Sequence, residues 1–383
     1  MSAADHPPTY QQREDLALHR ELTQAANRYL AEKRDHRFAN GGMMAKVLFL
    51  LSLGALFYGL SLSATTPLGF VCGYFGFIFI ALMLAINAVH DASHNAFFRQ
   101  QWANRALNMV ICIPLGLDPD CWRVRHVECH HAHLNVKGFD LDIEENGVLR
   151  QTPFQRIKGF MRAQQYYWPF VAALTFPCII WFFDWIDRAG KTRVRPKMRH
   201  QGMSGWRIFL TAKALHLLLA LIVPYWILHP QGISAEMLLL CYVGSQMLAS
   251  LIFVVLILGS HWAMGTFYEV PAEGRFNHGR YRHVFATTID WVPRPRQASY
   301  WLGELNRHLT HHIFPHWSHR HYPVLSAIIA EVAPRHGVTY HCVSLGEILL
   351  AQQRFLRAMG RGQPAEGIVK RRKRGVKIND NSQ

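Results

Sequence analysis

Long apolar runs alternate with polar, basic segments along this chain. Positions 47–90 contain no Asp, Glu, Lys or Arg. Pro67, after Thr65 and Thr66, divides this run near its middle. Each half has the ~20 residues needed to cross a hydrocarbon core. The pattern predicts a transmembrane helical hairpin over roughly 44–64 and 67–88. A second hairpin is predicted over roughly 207–228 and 235–259, with His229-Pro230-Gln231-Gly232 as its turn. Lys213 and Glu236 fall near span ends, where long side chains can snorkel to the interface.

A third apolar stretch, 166–186, is dense in aromatics and interrupted by Pro169, Pro177 and Asp184. Such aromatics favour the headgroup level, so this stretch is expected to lie in the interface. If it spanned, histidines before and after it would sit on opposite sides of the membrane. The expected fold is therefore all-α and integral to the membrane. It has two transmembrane helical hairpins, four spans in all, and a cytoplasmic helical cap. Three regions are expected: an N-terminal cytoplasmic segment 1–42 with a helix near 11–33, the main domain 43–345, and a basic C-terminal tail 346–383 that is disordered or binds headgroups past residue 361.

Charge orients this arrangement. Lys and Arg total 41 against 25 Asp and Glu, a net charge of +16. The turns 61–67 and 229–233 carry neither Lys nor Arg, whereas 28–37, 188–199 and 370–377 are basic. The positive-inside rule then places both termini and the 89–206 region in the cytoplasm. With such hydrophobic spans, the anionic membrane face suits the charge better than nucleic acid does. Mean hydropathy is only +0.02, which fits a membrane anchor carrying a substantial aqueous part. Seven cysteines without a CxxC pattern argue against a disulfide scaffold or zinc ribbon. The polar first 40 residues argue against a cleavable signal peptide.

The candidate chemistry lies in three histidine clusters. The first, His90-Asp91-Ala92-Ser93-His94, stands where the second span reaches the cytoplasm, and residues i and i+4 of a helix share a face. In the second, residues 122–131, His126 and His130 share a helical face by the same spacing. His131 is turned about 100° away, towards a second metal or the far side of one site. The third, His308-Leu309-Thr310-His311-His312, offers three imidazoles from one turn. Eight clustered histidines are too many for one zinc ion, and suit two first-row metals with positions left for O₂. Asp91, Glu128, Asp140 and Asp142 are placed to receive the ligands' second N–H groups. A metal transporter would need polar residues in mid-span, and 47–64 and 67–88 have almost none.

The chain resembles the membrane fatty acid desaturase family over about residues 70–342. HDASH at 90–94, WRVRHVECHH at 122–131 and HLTHHIFP at 308–315 are similar to that family's three histidine boxes in order and spacing. The stretch 133–142 resembles one common in the acyl-lipid and front-end branch, and His319-Arg320-His321-Tyr322-Pro323 continues the third box. The resemblance implies nine ligands for two iron ions. Eight map onto His90, His94, His126, His130, His131, His308, His311 and His312. The ninth is expected where the fourth span re-enters the cytoplasm, which points to His261, with His283 as the alternative. It further implies O₂ as co-substrate, a tunnel for a kinked fatty acyl chain (on CoA, a carrier protein, a lipid or as free acid), and electrons from a separate protein such as ferredoxin or cytochrome b5 with its reductase. Desaturation is the leading reaction. Hydroxylation, acetylene formation and decarboxylation to a terminal alkene use the same scaffold. His133, Leu134, Phe139 and Leu141 depart from the family's usual residues, and the third box begins with His308 where many relatives have glutamine.

Overall fold

The computed structural model describes residues 7–262 and 266–363. Among the described residues, four helices are long and apolar enough to cross a membrane: Gly41–Leu62, Pro67–Ser93, Gly202–Gln231 and Ala235–Trp262. The first begins where the Asn40 side chain accepts a hydrogen bond from the Met43 amide. The second begins where Thr66 accepts from Gly69, with Pro67 in its first turn. These two helices pack along each other through small residues. A Cβ on Gly73 would lie 2.7 Å from the Ser61 nitrogen, so the approach requires glycine there.

The third long helix joins this pair by polar contacts at its middle. The Tyr58 hydroxyl donates to the Leu219 carbonyl at 2.8 Å and the Tyr74 hydroxyl to Ala220 at 2.7 Å. Both carbonyls belong to the π-helical turn Leu218–Ile222, where the backbone pattern is irregular. Irregular backbone at membrane depth is tolerated only when protein groups satisfy it.

Between the second and third long helices lies a bent pair, Gly159–Ala173 and Thr175–Arg188, meeting at 56°. Pro177 accounts for the break, because its ring excludes a helical hydrogen bond to Ala173, four residues back. Tyr166, Phe170 and Phe182 on this pair are exposed. Its C-terminal half corrects the expectation for Lys213. That lysine is buried and does not snorkel; its ammonium donates to Asp184 at 2.8 Å and to the Gly116 and Ile180 carbonyls at 2.7 and 2.8 Å.

The termini fold onto the body. Helix Leu16–Lys33 packs Leu18, Leu22 and Ala26 against Leu325 and Ile329 of helix Tyr322–Val332. Arg320 forks onto Asp35 at 2.6 and 2.7 Å. Residues 346–360, which open the expected C-terminal tail, belong to a packed helix, Leu345–Gly360. Ser344 and Glu347 cap its start, and Phe355 packs against Trp262. The basic run 370–377 lies outside the described residues. Among the described residues the fold is mostly helical, with one short parallel strand pair, Asp290–Val292 with Cys342–Ser344.

Candidate metal centre

His90 stands in the last turn of the second long helix, just after the π-helical turn Ala85–Val89. His261 stands in the last turn of the fourth. His308, His311 and His312 lie on the buried helix His308–Ile313. Asp290, on the short strand, pins this helix by accepting from the Thr310 amide at 3.1 Å and its hydroxyl at 2.6 Å, and from Tyr340 at 2.7 Å.

The second box departs from the sequence expectation. Val124–His130 is π-helical, and the His131 amide donates to His126, five residues back, at 3.0 Å. A wider turn rotates successive side chains differently from an α-helix. His126 and His130 still stack, with ring centres 5.9 Å apart, but they present their nitrogens to different sets of histidines.

Two four-histidine groups result. One nitrogen each from His90, His94, His126 and His311 lie within 4.8 Å of one another, and the same holds for His130, His261, His308 and His312. His131 stands between the groups. Its Nε2 is 2.9 Å from that of His311, and its ring centre is 4.1 Å from that of His312. All nine imidazoles are buried. Burial first, and then their imidazole neighbours, push His94, His126, His131, His308, His311 and His312 well below the usual histidine range. That direction favours the neutral imidazole, the form that ligates a cation.

The donor set fits transition-metal ions. Both nitrogens of His90, His94 and His312 and Nε2 of His126 are buried without a hydrogen-bond partner. Buried polar atoms are ordinarily satisfied, and a cation in each group would satisfy these. Nitrogen-only donors of this type suit iron among other first-row metals.

A surrounding shell fixes the ligands. His130 Nδ1 lies 3.0 Å from Asp140 and 3.3 Å from Asp142. Burial alone would lower His130, but the two carboxylates more than offset it and push the group up to about 9. His311 Nδ1 is 2.8 Å from the Tyr322 hydroxyl. Asp91 accepts from the His319 amide at 3.0 Å and lies 3.9 Å from His90 Nδ1. Glu128 does not serve as a ligand support; it pairs with Arg123 at 2.6 Å at the surface. His283 is also placed elsewhere, 2.7 Å from the Leu134 carbonyl and 3.0 Å from His278. His133 lies outside both groups, its ring 5.3 Å from Phe139.

Three contributors carried no role in the sequence. Tyr322 and His319 lie in the continuation of the third box, so proximity to it was their only signal. Asp290 had none, because the strand that positions it pairs with residues some fifty positions away. Trp122 was visible in the second box, but its stacking on His126, 5.1 Å away and 14° from parallel, needs the fold. Trp122 also lines an apolar pocket with Leu82, Val89, Leu117, Phe176 and Phe253, and His90 is part of its wall.

Comparison with known proteins gives a consistent result. A model of the family described as fatty acid desaturase matches residues 61–344. The chain is 27% identical over 354 residues to an sn-1 linoleoyl-lipid 6-desaturase of Synechocystis, covering 89% of this chain and 95% of that protein. It is 24% identical to an sn-1 linoleoyl-lipid 6-desaturase of Arthrospira platensis, covering 85% and 87%. An acyl-lipid (8-3)-desaturase of Physcomitrium patens is 25% identical, over 68% of this chain and 54% of that protein.

Proposed function

Because the chain belongs to the fatty acid desaturase family, a family of oxidoreductases, we propose that it desaturates the acyl chain of a membrane lipid in an O₂-dependent reaction at a two-iron centre. The observation that carries this reading is the pairing of two buried four-histidine groups with an apolar pocket that has His90 in its wall. The names of its relatives favour an acyl-lipid substrate over acyl-CoA. The balanced change is –CH₂–CH₂– + O₂ + 2 e⁻ + 2 H⁺ → –CH=CH– + 2 H₂O. The electrons come from a separate donor protein, such as ferredoxin or cytochrome b5 with its reductase.

His90, His94, His126 and His311 would hold one iron, His130, His261, His308 and His312 the other, with His131 between them. Bound there, the irons would supply the oxidising power that removes hydrogen from unactivated methylenes. The protein does the rest. Asp140 and Tyr322 orient His130 and His311 through their Nδ1 atoms. Leu117, Phe176 and Phe253 exclude water and set the register of the chain against His90. No side chain is required as nucleophile or general base.

The connectivity supports four spans. His130 and His308 belong to one group, and two long helices lie between them in sequence, so the chain leaves and returns to the same side. A single crossing by the bent pair would break that parity, which favours an interfacial position for it. With the basic segments counted, the positive-inside rule puts the centre and both termini in the cytoplasm.

Metal analysis of the purified protein together with oxygen uptake tests this reading. Two irons per chain and uptake dependent on acyl lipid and reductant are expected, with iron reduced in His311→Ala and in His312→Ala. Iron-free protein, or uptake indifferent to acyl lipid, would overturn it.

A further inference from the structure

Two histidines stand beside the metal centre without belonging to either group. His283 is buried on helix Arg280–Thr287, and His278 is half-buried just before it. Their rings are nearly coplanar, 13° apart, with His278 Nε2 3.0 Å from His283 Nδ1. His283 Nε2 lies 2.7 Å from the Leu134 carbonyl. A carbonyl only accepts, so His283 carries its proton on Nε2, and its Nδ1 accepts from His278. Burial pushes His283 down to about 4, which keeps it in this neutral form.

The line of hydrogen bonds continues inward. The Leu134–Asn135 peptide links that carbonyl to the Asn135 amide, which donates to Asp140 at 2.8 Å. The other Asp140 oxygen lies 3.0 Å from Nδ1 of His130, a member of the second four-histidine group. A single carbon bridges each station: N–C–N in an imidazole, O–C–N in the peptide, O–C–O in the carboxylate. Surface and metal position are thereby joined through bonds and hydrogen bonds alone. A clamp on the Leu134 turn would need only His283; the second imidazole extends the line outward. Tyr268 and Phe276 pack around the pair, with ring centres 4.5 Å from His283 and 5.2 Å from His278.

We propose that the His278–His283 pair is where electrons enter, passing from a docked one-electron carrier through the Leu134–Asn135 peptide and Asp140 to the metal position of His130. This rests on the two-iron reading of the centre. Each transfer oxidises the carrier by one electron and reduces one ferric ion to ferrous; two transfers supply the two electrons of the balanced change. The carrier is acidic, since the chain has a net charge of +16 and Arg275 and Arg280 stand exposed beside the pair. Asp142 offers a rival surface contact, 3.3 Å from His130, but Glu144 and Glu145 follow it, exposed, and would repel such a carrier.

The test is stopped-flow reduction of the oxidised, iron-loaded full chain, without O₂ or lipid, so that electron entry is read apart from turnover. Reduced ferredoxin and reduced cytochrome b5 serve as carriers, and dithionite as a small reductant that needs no docking. His278→Phe keeps a ring in place but removes the hydrogen bond. It is expected to lower the limiting rate at saturating carrier about tenfold, with iron content, midpoint potential and reduction by dithionite as in wild type. His278→Gln, whose amide can still donate to His283, is expected to recover part of the rate. An unchanged limiting rate in His278→Phe would overturn the proposal, as would slowing with dithionite as well, which marks a structural role. A weaker apparent Kd alone would reduce His278 to a docking contact and overturn it. Slowing in Asp142→Asn but not in His278→Phe would move the entry point and overturn it too, as would wild type that dithionite reduces and neither carrier does. Wild type that holds no iron would instead refute the two-iron reading.

Discussion

Replacing Asp140 with asparagine is expected to loosen one metal position and leave the other intact. Asp140 is fully buried; one carboxylate oxygen receives His130 Nδ1 at 3.0 Å and the Asp142 amide at 2.9 Å, and the other receives the Asn135 amide at 2.8 Å. Asparagine keeps one accepting oxygen and turns an NH₂ group towards a donor. The least costly orientation faces the Asn135 amide and leaves one buried N–H unmade, at about 1–3 kcal/mol. His130 then donates to a neutral oxygen and becomes a weaker ligand. Loss of such a supporting group typically costs ~10–100-fold in metal affinity, or about 1.4–2.7 kcal/mol. The His90, His94, His126 and His311 group does not touch Asp140 and should be unaffected. Chelator titration followed by metal analysis reads this out: wild type should lose its metals together, and Asp140→Asn should lose one at ~10–100-fold lower chelator. The same carboxylate gives the sign of a pH effect. His130 is held up to about 9 without metal, so the ion must displace a proton below that pH and affinity rises with pH towards 9. In metal-free protein the His130–Asp140 pair stabilises fully below the unfolded imidazole value of ~6.5 and is lost as pH rises through about 9. Parallel loss of both metals from the variant, or unchanged affinity, would refute the reasoning.

Three further outcomes are expected. Lys213→Met leaves the Asp184 carboxylate buried without its cation and should cost about 3–5 kcal/mol in thermal unfolding; adding Asp184→Asn should recover most of it, and a double variant no more stable than the single would contradict the pairing. Leu117→Trp fills the apolar pocket and should abolish acyl product while metal content stays at the wild-type level, so unchanged product would exclude this pocket as the acyl site. Asp35 is held well below the usual carboxylate range, chiefly by the Arg320 fork. Its contribution is present above the unfolded carboxylate value and lost as pH falls through the folded one, so the melting difference between wild type and Asp35→Asn should close on acidification.

The long-range plan of the molecule was legible because it rests on simple periods. Apolar runs of membrane length with few or no charges mark the four long helices, and short histidine spacings mark the candidate ligands. The partition of those ligands was not legible. The second box is π-helical, so the i, i+4 rule joins His126 to His130 where the fold sends them to different groups. Lys213 reads as a snorkelling residue because its partner, Asp184, lies 29 positions away on a helix bent by a proline. Residues 346–360 fall in the expected basic tail, and their buried Phe355, Leu356 and Met359 acquire meaning only against Trp168 and Trp262. Tertiary partners decide each of these cases, and local sequence carries no record of them.

The most direct measurement is acyl-lipid and hydrocarbon profiling by mass spectrometry. Cells that express the chain with an electron donor would be compared with cells expressing the His311→Ala, His312→Ala double variant. The account predicts a new double bond in a membrane-lipid acyl chain, dependent on O₂ and lost in the variant. A hydroxylated chain or a terminal alkene in its place, or a double bond that persists in the variant, would contradict it.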